Sequence, residues 1–375
     1  MPFDVLRLYC SLSHTVALNA RHVRRRNVAF WQNAWTAGAH SLDKAALVGD
    51  NLRMRELTVK KNDANQRLDR FVSKAVPLLP ESLLQKYIRL KRIKLNGKGA
   101  KRDTRVQVGD VLSLYINDEF FEAPREENSY LKVGSPKLDI VYEDENIILC
   151  DKKPGVLCHS AGQWDYNTLI AHIQAYAYQK GEWRPREENA FAPALCNRID
   201  RNTGGIVIAA KNAEALRVMN EKIAAREIEK YYLCVVVGRP RPAEGRLEDF
   251  IFKDAAKNRV YVRSKPEPGA RTAVTYYKTL ASRGGLSLVE CRLGTGRTHQ
   301  IRAQMAHAGT PLLGDGKYGD GKRNRALDES GQLLYSYRVD FDFKTDAGEL
   351  NYLKGAGFKV EKVGFVDKYF PGAKF

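Results

Sequence analysis

Three side chains in separate stretches could act together chemically: Asp200, Tyr232 and Arg297. Asp200 lies in Cys196-Asn197-Arg198-Ile199-Asp200-Arg201-Asn202-Thr203-Gly204-Gly205, followed by the apolar run Ile206-Val207-Ile208-Ala209. The acid is therefore expected on a turn that glycine permits, at the mouth of a buried strand. A carboxylate between Arg198 and Arg201 stays ionised, because nearby positive charge favours the charged form. Such a carboxylate is either a fixed salt-bridge partner or a nucleophile for an anionic substrate. Tyr232 sits in Lys230-Tyr231-Tyr232-Leu233, a strand in which Tyr231 must face the opposite side. Arg297 follows a Gly-Thr-Gly turn that lacks the spacing of a phosphate loop. Paired with Asp200, Arg297 would fix its rotamer and keep it charged, inert in a structural protein but preorganised in an enzyme.

The elements that must position these groups are many strands and few long helices, which argues for α+β with a mostly antiparallel, mixed central sheet. Leu138–Cys150 reads as two strands across an acidic turn, and Asp151–His159 as a turn into another short strand. Asn167 is a candidate cap for the helix that follows, and 183–191 a polar loop. Asn212–Ala224 reads as an amphipathic helix and Glu229–Gly238 as a strand. Residues 272–280 and 286–293 form a hairpin around Gly284-Gly285, and Gly294–Ala306 turns from strand into helix.

Ahead of this catalytic region (138–375) lies a compact unit over 54–118, joined by a polar linker at 119–137. Helices are expected from Asn65 to Val72 and from Glu81 to Arg89, with strands at 54–59, 93–97 and 106–115. From Lys86 to Arg102 there are eight basic residues and no acid. Lys86, Arg89, Lys91, Arg92 and Lys94 are the candidate RNA-binding residues, since that density suits phosphates. The whole chain has a formal charge of +18, which also suggests a polyanionic partner.

Composition removes several alternatives. Six cysteines form no CxxC pair and read as thiols of a reducing, cytoplasmic setting. Seven histidines show no metal-ligand spacing, so no metal is expected. No apolar run approaches the length of a membrane span. Residues 1–53 carry their basic cluster after the mildly apolar stretch, unlike a secretory signal. They read as a transit-like extension or, preferably, as residues ahead of a true start at Met54.

From Met54 onward the chain resembles RluA-type pseudouridine synthases with an N-terminal RNA-binding domain of the ribosomal-protein-S-four type. The small unit matches through Arg67-Leu68-Asp69, its basic second helix, Leu95-Asn96-Gly97 and Val108-Gly109-Asp110. The catalytic region matches through the Asp200 stretch, Lys230–Leu233, Thr295-Gly296-Arg297-Thr298-His299-Gln300-Ile301-Arg302 and Leu312–Gly319. Asn197, Asn202 and Gly204 depart from the family's usual His, Asp and Ser. Lys152-Lys153-Pro154-Gly155 shifts the proline of an early motif.

The resemblance implies a pseudouridine synthase fold, with Asp200 catalytic, Tyr232 stacking on the target base, Arg297 as the salt-bridge partner and Ile301 lining the pocket. It implies isomerisation of uridine in RNA, of the 23S ribosomal type, by a monomer without a cofactor. Whether Asp200 attacks or deprotonates the sugar stays open. A non-catalytic RNA-binding protein and a hydrolase releasing uracil are the competing readings. His299 reads as a residue shaping the Arg297 turn, and Asp315 as one ordering a glycine-rich turn.

Overall fold

The computed structural model describes residues 54–375 apart from 122–128, 161–165 and 186. The reading of residues 1–53 as an extension lies outside the described residues. Residues 54–115 build a four-stranded antiparallel sheet and two helices: β1 (Met54–Thr58), α1 (Leu68–Ala75), α2 (Glu81–Arg89), β2 (Ile93–Leu95), β3 (Lys98–Gly99) and β4 (Val111–Tyr115), in sheet order β1-β4-β2-β3. The helices form because apolar residues recur at helical spacing. Leu68, Phe71 and Val72 are buried from α1, and Leu84, Tyr87 and Ile88 from α2. Phe71 is fully buried, so its truncation to Ala should cost about 3–5 kcal/mol. Asn96 and Gly97 have φ of 49° and 74°, the left-handed pair that a two-residue hairpin needs between β2 and β3.

The rest of the chain builds an 11-stranded sheet. In chain order its elements are β5 (Ile140–Glu143), β6 (Ile147–Lys152), α3 (Leu169–Gln179), β7 (Ala194–Leu195), β8 (Gly204–Ala210), α4 (Ala213–Ala224), β9 (Ile228–Val237), β10 (Glu244–Asp254), β11 (Arg259–Arg263), β12 (Arg271–Arg283) and β13 (Leu286–Leu293). There follow α5 (Gln300–His307), α6 (Gly321–Ala326), β14 (Leu334–Phe341), β15 (Gly357–Lys359) and α7 (Gly364–Tyr369). The main order is β11-β10-β12-β13-β9-β14-β8-β6-β5, with β7 on β8 and β15 on β14. Among the described strands only β14 and β8 pair in parallel, so the sheet is mixed and mostly antiparallel.

Every residue of β8 is buried, because both faces of the sheet are covered there. Val207 and Ala209 pack in one core with Leu169 and Ile173 of α3 and Ile301 and Met305 of α5. Ile206, Ile208 and Ala210 pack on the other face with Val218 and Met219 of α4. Gly205, at φ 109°, lies so close to β14 that a Cβ would fall 2.2 Å from the Ser336 carbonyl oxygen. Only glycine allows the parallel pairing at this point. A side chain at Gly204 would meet the Tyr335 ring at 2.4 Å.

Several local expectations change. No strand follows Gly155, and Leu157 makes only an isolated bridge to Thr168. Thr168 caps α3, its hydroxyl accepting from the Ala171 amide at 3.3 Å, in place of Asn167. The polar stretch at 119–137 includes Tyr130, which is buried against Trp183 with ring centroids 5.0 Å apart. An aromatic ring among polar neighbours supplied enough apolar area to dock the segment. The β10–β11 hairpin was not foreseen, because its exposed positions are charged and its inward alternation is weak. The loop before β7 meets the small unit through Asn189, whose amide donates to the Thr58 carbonyl and to Asp63 Oδ2, both at 2.7 Å.

Candidate active site

Asp200 stands in the loop between β7 and β8. Its carbonyl accepts the Thr203 amide at 3.1 Å, closing the turn that delivers the chain to β8. The loop is stapled from behind by Lys152, the last residue of β6. The buried Lys152 ammonium donates to the carbonyls of Val156 at 2.7 Å, Arg201 at 3.0 Å and Lys153 at 3.1 Å. Burial lowers its pKa to about 8, with Cys158, Asp200 and Asp151 acting the other way. Gly155 and Arg201 add a reciprocal pair of bonds, Gly155 N to Arg201 O at 2.9 Å and Arg201 Nε to Gly155 O at 3.0 Å. Asn197 has a comparable duty, its side-chain oxygen accepting the Ile208 amide at 2.8 Å.

The guanidinium that holds Asp200 belongs to Arg302. Its Nη1 lies 2.7 Å from Asp200 Oδ2, while Nε and Nη2 grip the two oxygens of Asp315 at 2.6 and 2.9 Å. Arg302 and Asp315 are buried and the Asp200 side chain is 28% exposed, so one edge of the Asp200 carboxylate stays open. Burial opposes the charge on Arg302, but the bonds to Asp315 and the field of Asp200 more than offset it and raise its pKa. Burial also opposes the Asp315 carboxylate, yet Arg302 and the amides of Lys317 and Tyr318 hold its pKa below the usual range. Asp315 therefore orders its turn and also aims Arg302.

The expected pairing of Arg297 with Asp200 is corrected here. Arg297 lies in the turn before α5, and its Nε donates to the Thr272 carbonyl at 3.0 Å. Arg302 is the third residue of α5 and is buried. The same Thr-Gly-Arg-x-His-Gln-Ile-Arg stretch thus supplied the partner, through its second arginine. Gln300 fixes the geometry between the two. Its side chain accepts from Thr295 Oγ1 at 2.7 Å and from the Arg297 amide at 3.0 Å, and donates to Val274 O and Thr275 Oγ1, both at 2.9 Å. The flanking Arg198 and Arg201 are exposed, with Arg201 turned to Gly155.

Tyr232 and Ile301 share the core beneath Asp200 with Ile199 and Cys158. Burial pushes the Tyr232 phenol up to about 12, and the Asp200 charge adds to the shift. Tyr231 faces away, its ring under the Arg338 guanidinium at 3.7 Å. His299 begins α5 at φ 53°, with Nδ1 2.9 Å from the Tyr318 hydroxyl and Nε2 3.8 Å from Asp200 Oδ2. Lys152, Arg302 and Asp315 were not singled out from the sequence as parts of the site. A charged residue ending a buried strand, or sitting mid-helix among apolar neighbours, was the available signal.

In the small unit Lys86, Arg89 and Lys91 are exposed and Arg92 and Lys94 half-buried. None of the five forms a salt bridge among the described residues. A groove of about 740 Å³ between α2 and residues 99–103 is lined by Arg89, Lys91, Lys101 and Arg102. Among the described residues no helix is long and apolar enough to cross a membrane.

A buried arginine thus clamps a partly exposed carboxylate beside the core that holds Tyr232. The family described as RNA pseudouridylate synthase matches residues 146–307, which contain all of this site except the Asp315 turn. An uncharacterized RNA pseudouridine synthase of Mycoplasma genitalium is 32% identical over 76% of this chain and 88% of its own length. The ribosomal large subunit pseudouridine synthase D of Borreliella burgdorferi is 30% identical over 77% of this chain and 85% of its own. A solved structure titled human RNA pseudouridylate synthase domain containing 4 is 20% identical, with a TM-score of 0.49 over 64% of this chain and 94% of that one. The chain belongs to the RNA pseudouridine synthase family and is an isomerase that acts on RNA.

Proposed function

We propose that this isomerase modifies uridine in large-subunit ribosomal RNA, with Asp200 as the catalytic carboxylate and Tyr232 as the surface on which the target base stacks. The observation that carries the reading is the Asp200–Arg302 ion pair at 2.7 Å, which leaves one edge of the carboxylate open above the Tyr232 core. The large-subunit assignment draws on the names of relatives such as the Borreliella enzyme.

The reaction breaks the C1′–N1 bond of uridine and forms a C1′–C5 bond. The C5 proton is lost and N1 regains one, so the atoms balance without a co-substrate, and the enzyme works as a monomer without a cofactor. The target base must leave its stack, at a few kcal/mol. Stacking on an aromatic ring returns about 1–3 kcal/mol. Asp200 acts on the sugar side of the glycosidic bond. Arg302 keeps that carboxylate ionised and at a fixed angle, so no reorganisation is needed as charge moves.

The small unit serves as an S-four-type RNA-binding domain. Its Lys86, Arg89, Lys91, Arg92 and Lys94, without carboxylate partners among the described residues, engage phosphates beside the groove. Arg297, free of Asp200, meets a further phosphate or sugar of the substrate. The test is pseudouridine formation on ribosomal RNA fragments by the wild type and by Asp200→Asn. The variant should bind RNA normally and form no pseudouridine, and the wild type should release no free uracil. An active variant would overturn the assignment of Asp200, and released uracil would make the enzyme a hydrolase.

A further inference from the structure

His299 carries an argument beyond the pairing of Asp200 with Arg302. A residue with a β-carbon pays strain at φ 53°, so something must hold the imidazole there. The holder is Tyr318, whose ring packs edge-on to the imidazole with centroids 5.6 Å apart. The Tyr318 hydroxyl accepts the Val260 amide of edge strand β11 at 2.9 Å. With that acceptor position filled, its own proton is directed at His299 Nδ1, 2.9 Å away. A donor at Nδ1 requires that nitrogen to be unprotonated, so the ring proton resides on Nε2. Nε2 lies 3.8 Å from Asp200 Oδ2, too far for a direct hydrogen bond. That oxygen is already served by Arg302 at 2.7 Å. The Nε2–H is therefore a fixed donor without an acceptor, beside the carboxylate. An oxygen carrying a proton fits between the two, accepting from Nε2–H and donating to Oδ2.

We propose that His299 is a substrate-positioning residue, held by Tyr318 as the neutral Nε2–H tautomer, and that it seats a hydroxyl of the target ribose against Asp200. This rests on the reading of Asp200 as the catalytic carboxylate. The groups facing the imidazole are Asp200, Arg302 behind it on α5, Asp315 and Lys317 from the following turn, and Arg259 of β11, whose guanidinium covers the Tyr318 ring at 5.1 Å. Burial lowers the His299 pKa, Arg302 and Lys317 reinforce the shift, and Asp200 and Asp315 oppose it. A hydrogen bond from Tyr318 to the neutral ring acts in the same downward direction.

The test is nitrogen-15 NMR of histidine-labelled full-length protein, with Tyr318→Phe alongside. The wild type should show His299 protonated on Nε2 alone at neutral pH. Tyr318→Phe keeps the ring under Arg259 but loses the hydroxyl, so His299 should populate both tautomers and titrate at higher pH. The rate of pseudouridine formation at pH about 6 relative to pH about 8 should then rise above the wild-type ratio, because the doubly protonated ring carries the Nε2–H in every molecule while the neutral ring of the variant carries it in only a fraction. His299→Gln, which can present an amide N–H near the same point, should retain more activity than His299→Leu at matched thermal stability. A wild-type proton on Nδ1, superimposable pH profiles, or equal activity of the Gln and Leu variants would each overturn the proposal. The NMR result needs no catalysis, so it separates failure of the tautomer lock from failure of the Asp200 reading, which an active Asp200→Asn would reveal.

Discussion

The small unit and the Asp200 site use the same kind of cation in opposite ways. On α2 and the β2 region, Lys86, Arg89, Lys91, Arg92 and Lys94 have no carboxylate partner among the described residues, and three of them are exposed. In the catalytic region, Arg302 is buried between two carboxylates at 2.6 and 2.7 Å. An unpaired exposed cation costs little to present and releases counterions when it meets a phosphate. A buried, doubly paired cation has no freedom left for binding, and its value lies in holding Asp200 still. Under the proposed function, charge for affinity and charge for aim thus occupy separate parts of the molecule.

The sharpest way to break this contrast is to remove the buried cation. Arg302→Ala leaves Asp315 buried without its partner and should destabilise the protein by about 3–5 kcal/mol. A lower denaturant midpoint, together with loss of pseudouridine formation in the folded fraction, would register it. Neutralising the exposed cations should act oppositely. The triple variant Lys86→Gln, Arg89→Gln, Lys91→Gln should weaken RNA binding and flatten its salt dependence by up to roughly 0.7–0.9 for each phosphate no longer neutralised. Its stability should stay within about 0.5 kcal/mol of wild type.

Acid titration sharpens the comparison further. The Asp315 pKa is depressed in the folded state, so its contribution is present above the ordinary carboxylate range and is lost as pH falls through the folded value. Asp315→Asn should therefore be less stable than wild type at neutral pH and should lose less stability on acidification, as paired urea titrations would show. The smallest effect is expected for Arg297→Ala. Its Nε has only the Thr272 carbonyl, so stability should shift by no more than about 1 kcal/mol. A loss as large as that of Arg302→Ala would return the clamp to Arg297.

Much of the architecture was legible because period and punctuation agreed. Glu81–Arg89 is a helix over the expected residues. The hairpin around Gly284-Gly285 and the strand carrying Tyr232 also occur where alternation places them. Asp200 and Tyr232 were readable as a turn acid and an inward aromatic. The choice between Arg297 and Arg302 was not, because it depends on which arginine the helix turns toward β8. That orientation is set by Gln300 and its bonds to β12, between segments about 25 residues apart. The β10–β11 hairpin escaped because its exposed positions are charged and its inward alternation is weak. The Lys152 staple escaped because its partners are backbone carbonyls, which leave no trace in residue type.

The division between the two kinds of charge can be measured in one experiment. Single-turnover pseudouridine formation at saturating enzyme, with RNA affinity measured in parallel, would be compared for Arg302→Lys and for the Lys86, Arg89, Lys91 triple variant. A point-charge ammonium cannot reproduce the two-carboxylate fork, so Arg302→Lys should lose most of its saturating rate and keep its affinity. The triple variant should lose affinity and keep its saturating rate. Equal losses of rate and affinity in both proteins would contradict the account.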